Sequence, residues 1–218
     1  MKRCFVLLVL LAACGDDGHS VDAGPTTVTG ELVDMESTDN GAFFCGILGA
    51  TVTVHGDATQ TVMTNPNGRI ENLTIHEARA QLDITPPTAM SQCSQPLSTY
   101  TTPATMIVDA KVAASGAVIS ARMFTMADAA NFGFDASKAQ VLVHVDGTAR
   151  AVSITASHAA TQAFDGTHWA AGDTGDNVFF PNVDPATGTT LVTMSGGLGA
   201  GSIPLTAGAF TFLTVVGQ

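Results

Sequence analysis

From Thr26 to the end of the chain, short runs of Val, Ile, Thr and Phe are broken at intervals of about ten residues by Gly, Asn, Asp or Pro. That rhythm constrains the fold more than any other feature, because it leaves room for strands and tight reversals and for almost no long helix. "TTVTGELVDM" (Thr26 to Met35) opens the series. "GATVTVHG" (Gly49 to Gly56) alternates Val52 and Val54 with Thr51, Thr53 and His55, so one face should be apolar. In "TQTVMTNPNGRIENLTI" (Thr59 to Ile75), Pro66 presets φ and Gly68 supplies a left-handed position, which predicts a tight turn over Asn65 to Gly68 between two strands. "ARAQLDITPP" (Ala78 to Pro87) adds a strand with Leu82 and Ile84 on one face, ended by paired prolines.

The same order of alternating strand, Gly turn, apolar strand and closing strand returns in "AQVLVHVDGTARAVSITAS" (Ala139 to Ser157), "AGDTGDNVFFPNV" (Ala171 to Val183) and "GTTLVTMSG" (Gly188 to Gly196). The last run, "GAFTFLTVVG" (Gly208 to Gly217), is apolar on both faces and should be covered on both sides or lie centrally. Between the two series, Thr125 and Asp128 have capping-box spacing ahead of Met126, Ala129 and Ala130, with Gly133 to stop a short helix. Met123 and Met126 are expected to pack between the two halves. The expectation is an all-β chain of two small antiparallel β-sandwich domains, 26–117 and 134–218, joined by a segment (118–133) with one short helix. Each is large enough for a core of its own.

"VTGELVD", "GATVTVHG" and "TVMTNPNGRIENLTI" together resemble the carboxypeptidase regulatory-like domain, a transthyretin-like β-sandwich of bacterial surface proteins. Gly49, Ala50 and the turn Asn67-Gly68 carry the match. The resemblance implies a non-catalytic sandwich for the first domain, and by internal similarity an Ig/transthyretin-like second one. The insertion "MESTDNGAFFCGIL" (Met35 to Leu48) departs from the pattern and brings in Cys45.

The start of the chain has a different character. Lys2 and Arg3 precede an apolar stretch from Phe5 to Leu11, then Ala12, Ala13 and Cys14, which is the order of an export signal and too short to span a bilayer. "LAAC" (Leu11 to Cys14) resembles the lipobox of bacterial lipoproteins, which implies cleavage after residue 13 and diacylglycerol (with palmitate-class acyl chains) on Cys14. An ordinary secretory signal with an incidental Cys14 is the alternative. Gly15 to Pro25 then serves as a flexible tether. Gly15 in place of an Asp after the lipidated cysteine favours the outer membrane over the inner one.

Once residues 1–13 are removed, six basic residues face 19 acidic ones, a formal charge of −13. The basic residues, Arg69, Arg79, Lys111, Arg122, Lys138 and Arg150, are scattered singly, which argues against nucleic acid as a partner. With Cys4 discarded and Cys14 lipidated, Cys45 and Cys93 remain. They are expected to form a disulfide in an oxidising compartment; buried free thiols are the alternative. Neither has a second Cys or a His at ligand spacing, so no zinc site is predicted.

No G-x-S-x-G, H-E-x-x-H or P-loop pattern occurs in the sequence. The best candidate for a ligand site is "FDGTHWAAGDTGDN" (Phe164 to Asn177), a Gly-rich loop that gathers Asp165, His168, Trp169, Asp173, Asp176 and Asn177. Oxygen ligands of this kind suit calcium, although ordinary solvated turns have the same composition. Trp169 is either a core anchor or a platform for a sugar ring. His55 and His144 are expected to face solvent or cap a sheet edge, and His158 and His168 lie too far apart in sequence to predict a shared metal. Asn72 in "NLT" is taken as strand. The functional expectation is a non-catalytic, lipid-anchored envelope protein, a spacer and binding module for a protein or glycan. Its rival is a metal-assisted hydrolase using Asp165, His168, Asp173 and Asp176.

Overall fold

The computed structural model describes residues 24–38, 43–93, 97–101 and 103–218. The expected signal, lipidation site Cys14 and most of the tether lie outside the described residues. In chain order the first half contains β1 (Thr26–Asp34), β2 (Thr51–Val54), β3 (Asp57–Met63), β4 (Arg69–Ile75), β5 (Arg79–Thr85) and β6 (Ala104–Asp109). Then come α1 (Ala110–Ala114), β7 (Ile119–Met123) and α2 (Met126–Asn131). The second half contains β8 (Ala139–Gly147), β9 (Arg150–Ile154), β10 (Gln162–Phe164), β11 (Trp169–Ala171), β12 (Thr174–Gly175) and β13 (Asn177–Val183). It ends with β14 (Thr189–Met194), β15 (Gly197–Leu198), β16 (Gly201–Pro204) and β17 (Phe210–Gly217). Among the described residues the fold is all-β, as the spacing of apolar runs predicts, with two short helices.

These strands form three layers. The middle one is a ten-stranded sheet of order β11-β10-β13-β8-β17-β6-β5-β2-β3, with β15 paired to β17. A three-stranded sheet, β4-β1-β7, lies over one face and a four-stranded sheet, β12-β9-β14-β16, over the other. Between the middle and three-stranded sheets, Leu32, Ile70, Leu73 and Ile119 meet Leu82, Met106, Phe179 and Phe212. Between the middle and four-stranded sheets, Val141, Val143, Val178 and Leu213 meet Val152, Val192 and Ile203.

β17 is the seam of the middle sheet. It runs parallel to both β6, from the first half, and β8, from the second. Its apolar residues on both faces are buried because a layer covers each face, Phe212 at 1 % and Leu213 at 0 % exposure. β1 and β7 are also parallel neighbours. The middle and three-stranded sheets are therefore mixed rather than purely antiparallel, since strands distant in sequence meet without a hairpin between them, whereas the four-stranded sheet is antiparallel throughout.

The ten-stranded sheet takes strands from both expected halves, so the sheets do not divide at 118–133. That segment holds the expected helix, α2. Thr125 Oγ1 accepts from the Asp128 backbone N–H at 3.2 Å, and the Asp128 carboxylate accepts from the Thr125 N–H at 2.7 Å. Its first part, however, is β7, whose five residues are all buried. Met123 packs in the core as expected, whereas Met126 is 54 % exposed. α1 was not predicted: "AKVAA" follows an Asp109 N-cap that accepts from the Lys111 N–H at 2.9 Å, and tertiary packing of Val112 sustains the single turn.

The turn over Asn65 to Gly68 forms as predicted, with the Gly68 N–H donating to the Asn65 carbonyl at 2.8 Å and φ of 72° at Gly68. Its tightness has a second cause. Residues 45–47 run back along the end of β1, through Asp34 N–H to Cys45 carbonyl (2.8 Å) and Ile47 N–H to Leu32 carbonyl (2.9 Å). Where this segment crosses the turn, a Cβ at Gly46 would collide with the Asn67 backbone and one at Gly68 with the Leu32 carbonyl. The crossing holds Cys45 beside the end of β1.

Candidate functional site

The segment from Phe164 to Asn177 is not one loop. β10 and β11 form a hairpin in which Phe164 faces Trp169, and β12 and β13 follow at once. The carboxylates of Asp165 and Asp173 bond within their own turns. Asp165 Oδ1 accepts from Thr167 Oγ1 (2.6 Å), Thr167 N–H (2.9 Å) and His168 N–H (3.0 Å), and its Oδ2 lies 3.1 Å from His168 Nδ1. The Thr167 hydroxyl, then the two backbone N–H groups, hold this exposed carboxyl down to a pKa of about 2. Asp173 is exposed and accepts from Thr174 Oγ1 at 3.0 Å. Asp176 is held by its backbone, donating to the Phe164 carbonyl and accepting from the Val145 N–H, each at 2.8 Å. Asn177 is buried on β13, its Oδ1 3.2 Å from His144 Nδ1.

Trp169 is half-buried, its ring 5.2 Å from that of Phe164 and 6.5 Å from that of Phe179, and its Nε1 donates to the Met35 carbonyl at 3.3 Å. It packs against the core from its edge. Among the described residues, one group of three His, Cys, Asp or Glu side chains brings its ligand atoms within 4.8 Å of one another, and Asp165, His168, Asp173 and Asp176 do not belong to it. The side-chain ligand atoms of Asp165, His168, Asp173 and Asp176 thus form no group of three within that distance. His55 is exposed on the sheet and paired with Asp83 at 2.8 Å; His158 is exposed against Phe180.

The group that does assemble is Asp34, Cys45 and Cys93. Cys45 and Cys93 form the expected disulfide, with Cα atoms 6.2 Å apart and 48 positions between them in sequence. Asp34, at the end of β1, is fully buried. Its Oδ2 accepts from Tyr100 OH (2.9 Å) and Ser91 Oγ (3.1 Å), and its Oδ1 from the Glu36 N–H (3.1 Å). Ser91 Oγ in turn accepts from the Cys93 N–H at 3.1 Å, so the carboxylate and the disulfide share one hydrogen-bonded chain. Burial, reinforced by the charge of Asp34, pushes the Tyr100 hydroxyl above the usual tyrosine range. Burial first, then repulsion from Asp128 and Asp34, raises the Glu36 carboxyl.

The segment carrying Ser91, Cys93 and Tyr100 is fastened to the junction of β7 and α2, with Thr101 N–H donating to the Phe124 carbonyl and Met126 N–H to the Thr99 carbonyl, both at 2.8 Å. A cavity of about 200 Å³ opens beside it, lined by Ile47, Leu48, Pro87, Met90, Cys93 and Tyr100. A second buried charge lies close in sequence to the three-stranded sheet's end: Arg122 of β7 donates to the Ser37 carbonyl and stacks its guanidinium 4.1 Å over the Phe164 ring. Asp34, Ser91, Tyr100 and Arg122 were missed by sequence reasoning. For the two charged residues the signal was present, since "LVDM" and "VISARMF" each place one charge beside apolar strand residues, and a buried charge demands partners.

No family model matches the chain, and no curated protein matches it. Among solved structures it is similar to the shaft pilin SpaA of Lactobacillus rhamnosus GG. One structure, of a variant, is 12 % identical, covers 90 % of this chain and 98 % of the pilin chain, and has a TM-score of 0.29. Another, of the pilin itself, is 14 % identical, covers 88 % and 98 %, and has a TM-score of 0.27.

Proposed function

We propose that the chain is a non-catalytic protein of the bacterial cell envelope, anchored by lipid on Cys14 in the outer membrane, whose layered β body acts as a spacer and binding module for another envelope protein or a glycan. The observation that carries this reading is where the polar groups go. Asp165 and Asp173, two of the acidic residues that a metal-assisted hydrolase would need, bond within their own turns, and the buried charges, Asp34 and Arg122, fasten loops to the body. Among the described residues no helix is long and apolar enough to cross a membrane, so on this reading attachment falls to the acyl chains. Two or more such chains anchor firmly, at about 0.8 kcal/mol per buried CH₂. The carboxypeptidase regulatory-like reading of the first half belongs to the same proposal. It is supported by the placement of Gly49-Ala50 just before β2 and of Asn67-Gly68 just before β4.

Mass spectrometry of the protein isolated from envelopes tests the anchor: acyl mass on Cys14 is expected, and an unmodified chain beginning elsewhere overturns it. A glycan array together with a pull-down from envelope extracts tests the binding role. Capture of a defined glycan or envelope protein is expected, and silence in both leaves a spacer alone.

A further inference from the structure

We infer that Cys45, Cys93 and Asp34 form a redox-gated zinc site, closed while the disulfide is intact and opened when it is reduced. Three independent features of the site point there. The two sulfurs and a carboxylate oxygen already lie within 4.8 Å of one another. A tetrahedral zinc with Zn–S near 2.3 Å and Zn–O near 2.1 Å requires separations of about 3.6–3.8 Å, so the sulfurs must part and the oxygen need move little. The carboxylate is also oriented by Tyr100 OH and Ser91 Oγ on its Oδ2 and by the Glu36 N–H on its Oδ1, hydrogen bonds of the kind that metal-binding carboxylates have. Finally, a cavity of about 200 Å³, lined by Cys93 and by Ser91 and Tyr100 that hold the carboxylate, gives an ion an approach from the Cys93 side. Two thiolates with one carboxylate suit zinc better than calcium or magnesium.

The chemistry balances. A dithiol reductant gives two electrons and two protons to the Cys45–Cys93 bond, which breaks to two thiols while the reductant becomes a disulfide. Zinc then displaces both thiol protons and binds the two thiolates and Asp34. The spacing rule that predicted no zinc site could not see this set, because Asp34 stands 11 residues before Cys45 and the ligands meet only through the crossing of residues 45–47 over the end of β1.

The test uses the full chain with Cys4→Ala and Cys14→Ala, so that the pair supplies the available thiols, reduced by a dithiol that is then removed without air. Cobalt(II) added to this protein should give one equivalent of tetrahedral d–d absorption with a near-ultraviolet thiolate-to-cobalt band, displaced by one equivalent of zinc; the oxidised protein should give neither. Cys45→Ser should abolish the bands although it too lacks the disulfide, and Tyr100→Phe should weaken zinc binding by about tenfold or more. Absence of the bands in a reduced protein that keeps its β circular dichroism overturns the proposal. So does a reduced chain that unfolds and is not refolded by equimolar zinc, because a thiolate site should couple binding to folding.

Discussion

The segment from Asp165 to Asn177 and the cluster around Asp34 are both acidic and both close to cysteine- or aromatic-bearing strands, yet they are built in opposite ways. In the first, polar residues crowd together in sequence and satisfy one another within two or three positions, as Asp165 does with Thr167 and His168. In the second, Asp34, Ser91 and Tyr100 are separated by up to 66 positions and meet at hydrogen-bonding distance in a buried place. Density along the chain is therefore a poor guide to a site. Short-range hydrogen bonds hold Asp165 within its own turn, whereas the buried Asp34 carboxylate is held in a fixed orientation by a segment distant in sequence.

If the contrast is correct, variants in the long-range cluster should unfold the protein far more readily than variants in the turn. Trp169, the single tryptophan, reports unfolding by fluorescence in each case. Replacing both Cys45 and Cys93 with Ala should cost about 4 kcal/mol in denaturant unfolding, the chain-entropy value for a loop of this length. Next comes Asp34→Ala, which strands the Tyr100 and Ser91 hydroxyls in a buried site and should cost about 3 kcal/mol. A cost under about 1 kcal/mol would break the comparison at its stronger end.

Tyr100→Phe removes one charge-assisted hydrogen bond and should cost about 1.5 kcal/mol near neutral pH. The same residue permits a spectroscopic check, because it is the single tyrosine of the chain. Its ionisation is disfavoured in the folded state, so the stability it contributes is complete below the ordinary tyrosine pKa of about 10 and is lost as pH rises beyond that. Tyrosinate absorbance should lag behind that of a free tyrosine until the protein unfolds, and Tyr100→Phe should resist alkali better relative to its own neutral stability. An ordinary titration near pH 10 in the folded protein would contradict the buried placement.

The smallest effect is expected at Asp165. Its carboxyl is held low, so it stabilises the fold above the unfolded aspartate pKa of about 4, and that contribution disappears as pH falls through about 2. The gap in melting temperature between the protein and Asp165→Asn should therefore be widest above about pH 4 and close towards pH 2. Because the group is exposed, the gap should also shrink in high salt. Calcium should not raise the melting temperature of the protein; a rise abolished by Asp165→Asn would restore the turn as a ligand site.

Local physics was legible at the level of single elements. The alternation in "GATVTVHG", the capping box at Thr125 and Asp128, the turn at Asn65 to Gly68 and the two-faced apolar character of Phe210 to Gly217 each rest on neighbours within a few positions, and each appears in the fold. Their assembly was less legible. "GAFTFLTVVG" announces a central strand but says nothing about its neighbours, because any apolar strand could cover its edges. That β6 and β8 do so in parallel, uniting the two expected halves in one sheet, depends on contacts across about a hundred positions in one case.

What the sequence determined by itself was the kind of element in its strongly patterned runs, and Cys45 with Cys93 as the pair to expect. Only the tertiary structure decided which polar groups converge. Asp34 comes to lie against Tyr100, Ser91 and the disulfide because a glycine-tight crossing folds residues 45–47 over the end of β1, and no pattern along the chain encodes a distance between segments that far apart.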